Sequence, residues 1–251
     1  MDLFYLSLFC QNILDRNHLH FAIEPGSADW FTLNLGLLAA AIVLIIATYA
    51  FKHPEKRMLI AKIMAVIVAV NCVYSHIYYL QKGTWDIQNN LPFHLCSMSE
   101  IIAIGMLLTR SQLLFELLVF WSAGAVHAFI TPELTHGQGT YELITYGLSH
   151  GAVILAAFYG TLVLKIELPK HAWWKVFLLT QLCIPIIGLI NHLSDGNYMF
   201  LCQKPNADNP FVIGEWPWYI VGLELAILVH FYAFYLLHRY LFKRFNAQPV
   251  V

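Results

Sequence analysis

Residues 30–51 read WFTLNLGLLAAAIVLIIATYAF, an apolar run without a single Asp, Glu, Lys or Arg. The hydrocarbon core of a bilayer takes roughly 20 apolar residues of helix to cross, so this stretch has the length and composition of a transmembrane span. Six further runs of the kind follow at 58–80, 92–109, 112–131, 143–165, 172–193 and 216–241. They fill the chain and leave no room for a soluble domain. The predicted fold is all-α: a polytopic bundle of seven transmembrane helices forming one membrane domain over 30–245, with an arm at 1–29 and a tail at 246–251. In the arm, the apolar piece Leu3 to Leu14 is too short to span and lacks the basic leader of a signal peptide, which predicts an interfacial segment.

Composition agrees. Of 251 residues, 59% are hydrophobic and 12% charged, and the mean hydropathy is +0.62, more apolar surface than a soluble domain of this size can hide. A net charge of −1 with no long basic run excludes nucleic acid as a partner. The basic residues instead report topology. Arg16, Lys82 and Lys204 flank one side of the predicted spans, and the other eleven of the 14, from Lys52 to Arg244, flank the opposite side. Basic loops stay in the cytoplasm, which predicts N-out and C-in. Cys10 and Cys202 fall together on the outer side, where a disulfide is possible; Cys72, Cys96 and Cys183 lie within spans.

Polar side chains in hydrocarbon are costly, so those present mark the bundle interior and are candidate functional groups. They gather at one depth, in the outer halves of five consecutive spans: Asn71 and His76; His94, Cys96, Ser99 and Glu100; His127; Glu142, Tyr146 and His150; and Asn191 and His192. The inner halves are poorer, with Glu116, Gln181 and His230 as exceptions. A pocket open to the outer leaflet follows. Gly147 and Gly151 flank His150 and let a neighbouring helix approach, and the loop from 194 to 215, with Gly196 and Gly214 as hinges, is placed to cover the pocket.

Cys96 is the nucleophile candidate: Pro92 suits a helix start, which sets the thiol about one turn inside a helix N-terminus, where the dipole favours a thiolate. His150, at comparable depth, is the candidate base, with His127 and His192 as alternatives; His94, two residues from Cys96, points to another face and is read as lining the site. Such a pair could take an acyl chain from a membrane phospholipid as a thioester and pass it to a lysophospholipid hydroxyl or to water. No cofactor signature accompanies it. Two rival readings stand beside this one: a proton- or solute-coupled transporter using His76, His127, His150, Glu100 and Glu224, and a metal-dependent hydrolase drawing on the 12 histidines.

The segments Leu91-Pro92-Phe93-His94-Leu95-Cys96-Ser97, Tyr146-Gly147-Leu148-Ser149-His150-Gly151, Gly196-Asn197-Tyr198-Met199-Phe200-Leu201 and Trp216-Pro217-Trp218-Tyr219 resemble the bacterial YwaF-type integral membrane proteins. A eukaryotic relative of that family looks like an acyltransferase that moves polyunsaturated chains into ether phospholipids with a Cys and a His. The resemblance implies Cys96 and His150 as that dyad. The depth of the polar residues sets Asn71, His76, His94, Ser99, Glu100, His127, Tyr146, Asn191 and His192 around it as the lining of the site, and the outward pocket predicts a multi-pass plasma-membrane protein if the host is bacterial.

Overall fold

The computed structural model describes Cys10 and residues 17–246. Seven α-helices run in the expected order: α1 (Ala28–Ala50), α2 (Pro54–Lys82), α3 (Leu95–Thr109), α4 (Gln112–Ile130), α5 (Thr140–Leu162), α6 (Ala172–Ser194) and α7 (Trp218–Asn246). Each predicted span has its helix. Six are long and apolar enough to cross a membrane, and the chain is an integral multi-pass membrane protein. The third, α3, has 15 residues and at 1.5 Å per residue covers about 22 Å. It starts three residues later than Pro92, because the chain closes a tight turn there, with Phe93 N–H donating to the Leu91 carbonyl (2.8 Å), and His94 becomes the residue before the helix. The apolar piece of the arm lies outside the described residues except for Cys10, as does the tail beyond Asn246.

Local chemistry sets the boundaries. The Ser27 hydroxyl accepts from Trp30 N–H (3.3 Å) to open α1, and Pro54 opens α2, where its missing N–H costs nothing. Gly83 ends α2 in the left-handed region at φ 68°, the conformation a glycine accepts without steric penalty.

Burial ranks the helices by position. In α1 only Leu33 is buried, as expected of a peripheral helix turned to lipid, whereas α4 buries ten residues and sits at the centre. Small residues permit the closest approaches. A Cβ on Gly160 of α5 would lie 2.5 Å from the Phe115 ring of α4. Gly147 and Gly151 meet Leu33 and Leu37, so the helix that approaches beside His150 is α1. Trp121 N–H donates to the Thr180 hydroxyl (2.9 Å), joining α4 to α6 inside the core.

The end of the bundle where α1 begins is closed by loops. Phe21–Ala22 (β1) pairs antiparallel with Glu133–Leu134 (β2). The long segment between α6 and α7 folds over the same end and is held there from several directions. Cys10 and Cys202 are disulfide-bonded. Asn17 donates to the Lys204 carbonyl and accepts from Asn197, both at 2.8 Å. Gly196, expected to hinge this loop, is instead buried, with the Gln88 carbonyl 2.8 Å from where a Cβ would stand. That close packing leaves no freedom to swing.

Candidate active site

Two cavities that share a wall lie at the loop-closed end of the bundle, the larger of them beneath the lid loop. The larger, about 330 Å³, is mostly apolar and is bounded by α3, α4, α5, α7 and the lid, with Phe120, Phe211, Leu223 and Phe231 among its lining. The smaller, about 150 Å³, is the more polar of the two and lies between α2, α3 and α5. His94, Cys96, Ser97, Thr135, Tyr146 and His150 line both. The two residues expected as nucleophile and base therefore both line the partition between an apolar space and a more polar one.

Cys96 is the second residue of α3, nearer the helix N-terminus than the sequence suggested. The first amide to bond within this helix is Met98 N–H, which donates to the His94 carbonyl (3.0 Å). The N–H groups of Leu95, Cys96 and Ser97 precede it and have no intrahelical acceptor, and these residues line the larger cavity. His150 is fixed through its other nitrogen. Its Nδ1 lies 2.9 Å from the Tyr146 carbonyl one turn earlier. A carbonyl can only accept, so Nδ1 carries the hydrogen and the neutral ring keeps its lone pair on Nε2. Tyr146 is pinned in turn: its hydroxyl donates to the Ala128 carbonyl (2.9 Å) and accepts from Glu133 N–H (3.3 Å), and its ring lies 4.0 Å from that of His150.

The remaining expected residues divide. His127 lines the larger cavity; Asn71, His76 and Glu100 line the smaller. Ser99 lines neither. It is fully buried and donates to the Leu95 carbonyl (2.7 Å), and Ser97 faces the cavities in its place. Asn191 lines neither cavity as well. It is a backbone clamp, accepting from Tyr198 N–H (2.7 Å) and donating to the Tyr198 carbonyl (2.9 Å). His192, the next residue around α6, points roughly 100° away and is exposed.

One participant was misplaced by the sequence reading and two escaped it. His230 belongs at the depth of His127, not in the inner half: the two Nε2 atoms are 3.0 Å apart. His230 Nδ1 bonds the Ala226 carbonyl, so in the neutral pair His127 Nε2–H donates to His230. Counting from the end of α7 misplaced it, because this helix has 29 residues and α4 only 19. Glu133, in the two-residue strand β2, accepts from His20 (2.7 Å) and from Ala207 N–H (2.6 Å), tying β2 to both the arm and the lid. His136, in a loop, accepts from the Asn90 side chain (2.9 Å) and stacks on Tyr79 at 4.5 Å. Burial pushes its pKa down to about 4, helped by His20 nearby. No signal of periodicity could have found the last two. Among the described residues no group of three or more His, Cys, Asp or Glu is arranged to hold a metal ion.

The family model that describes the TMEM164 family matches residues 23–235 of this chain. An uncharacterized protein of Treponema pallidum (strain Nichols) is 27% identical over 126 residues, which are 50% of this chain and 52% of that protein, so the match spans about half of the relative's length. No solved structure matches the chain.

Proposed function

This chain belongs to the TMEM164 family, and on that premise we propose that it is a membrane-embedded lipid acyltransferase, or acyl hydrolase, working through a thioester on Cys96. The observation that carries this reading is that Cys96 and His150 share the wall between an apolar cavity and a polar one. A fatty chain is stabilised by burial in the first, and its ester carbonyl then lies where the second begins. The resemblance to the YwaF-type proteins and their eukaryotic relative supplies the same pair of residues.

In this mechanism His150 Nε2 takes the thiol proton and the Cys96 sulfur attacks the ester carbonyl. The amides at the start of α3 are the nearest candidates to receive the developing oxyanion. As the C–O bond breaks, His150 returns the proton to the departing lysolipid oxygen, leaving an acyl thioester. An alcohol, or water, then attacks the thioester. Its proton passes through His150 to the sulfur as the C–S bond breaks, and the thiol is restored.

The same reading takes the lid end of the bundle as the outer side of a plasma membrane. The eleven basic residues at the opposite ends of the helices support it, and so does the Cys10–Cys202 disulfide, which belongs to an oxidising compartment. The deciding experiment incubates purified protein with labelled phospholipid and follows its intact mass. An acyl adduct that is absent in Cys96→Ala and slow to form in His150→Ala establishes the reading. Lipids left unchanged and no adduct in any variant overturn it.

A further inference from the structure

The thioester reading accounts for the larger cavity and for the shared wall, but not for the polar inventory of the smaller one. Two carboxylates line that space, Glu100 from α3 and Glu142 from α5. Glu142 is answered by Lys82, whose Nζ lies 3.4 Å away on a side chain that is 49% exposed. Glu100 has no such partner. Asn71 and Ser149 offer it neutral hydrogen bonds and are themselves joined at 3.0 Å. Its Oε1 is buried with no hydrogen-bond partner among the described residues, and the residue is only 7% exposed.

A desolvated carboxylate oxygen at the edge of an otherwise neutral polar space is costly until a donor, best a charged one, reaches it. A hard metal ion asks for six or so oxygen ligands, whereas Glu100 presents one free oxygen among amides, hydroxyls and imidazoles. That set suits a cation with N–H groups to donate. Volume sets the size. At roughly 15 Å³ for each water-sized position, about 150 Å³ admits a short molecule and excludes a glycerolipid.

We propose that the smaller cavity binds a primary ammonium group carried by a small, water-soluble molecule, with Glu100 as its counter-charge. The site goes beyond acyl transfer and stands without it, since neither the thiol of Cys96 nor His150 is needed to hold the cation. Should both hold, the amine would lie on the opposite side of the dyad from the acyl chain.

Cys72 lines this cavity and not the larger one, which gives a reporter independent of catalysis. In full-length protein carrying Cys96→Ala and Cys183→Ser, reconstituted in phosphatidylcholine vesicles, Cys72 is the one free thiol left of three. Its modification by 2-aminoethyl methanethiosulfonate and by the anionic 2-sulfonatoethyl reagent is followed by intact mass, each rate divided by the reagent's rate with a free thiol. The expected result is about a tenfold or greater preference for the cationic reagent, slowed by millimolar 2-aminoethanol and not by glycerol. Glu100→Gln should abolish both the preference and the protection, while Glu142→Gln keeps the protection. Equal rates for the two reagents, or no protection by 2-aminoethanol, overturn the proposal even if Glu100→Gln fails to fold. Protection that appears only in vesicles containing phosphatidylethanolamine overturns it in favour of a lipid headgroup.

Discussion

The Nδ1 of His150 is hydrogen-bonded at 2.9 Å to the carbonyl of Tyr146, so the backbone of α5 itself fixes which ring nitrogen is free to take a proton. Replacing His150 with Gln keeps a polar side chain of similar reach and removes the base. The acyl adduct on Cys96 is expected to form at least 100-fold more slowly, read as the rate of mass gain in a single-turnover experiment, while thermal stability changes little.

Asn191 makes two hydrogen bonds to the main chain of Tyr198, and both partners are buried. Asn191→Ala leaves a buried donor and acceptor unmet, which costs about 2 to 4 kcal/mol. A lower midpoint of thermal unfolding in detergent and faster proteolysis of the 196–217 segment are expected, without any change in the chemistry at Cys96 beyond what the loosened loop imposes.

The pKa of His136 is depressed to about 4 by burial, and in the unfolded chain an imidazole titrates near 6.5. Above that value both states are neutral and the residue contributes no pH dependence. As pH falls from about 6.5 towards 4, the unfolded chain gains a proton that the folded one refuses, so stability declines. Unfolding midpoints measured from pH 7 to pH 4.5 should fall more steeply for wild type than for His136→Gln. Parallel curves would count against the buried neutral ring.

Two glycines of α5 should respond differently to a methyl group. At Gly160 the new Cβ meets the Phe115 ring at 2.5 Å, whereas at Gly151 the nearest atom, on Leu37, is at 3.4 Å. Gly160→Ala is expected to destabilise by about 1 to 3 kcal/mol through overpacking. Gly151→Ala should be nearly neutral. Unfolding midpoints of the two variants side by side decide it.

The spans were legible because lipid imposes a length: a run such as 30–51 admits few readings other than a crossing helix. The start of α3 was less so, since Pro92 suits a helix start as well as the turn that it makes. Depth in the spans put Cys96 and His150 at one level, and both line the shared wall because α3 and α5 both begin at the lid end. The same count failed for His230, where unequal helix lengths shift the scale, and for Asn191, whose burial serves a loop and not a cavity. Glu133 sits in a two-residue strand and His136 in the loop after it, both too short for any periodicity to announce a neighbour.

Glu133 joins residues far apart in the chain, taking one hydrogen bond from His20 and another from Ala207. During synthesis the first of these partners is made long before the second, and Ala207 follows only after α5 and α6 are complete. A chain still on the ribosome with four helices inserted would carry this carboxylate half satisfied above an uncovered apolar hollow. Assembly of the site is thereby tied to completion of the protein: a prematurely terminated chain would display an open hydrophobic mouth, the kind of surface that membrane quality control removes.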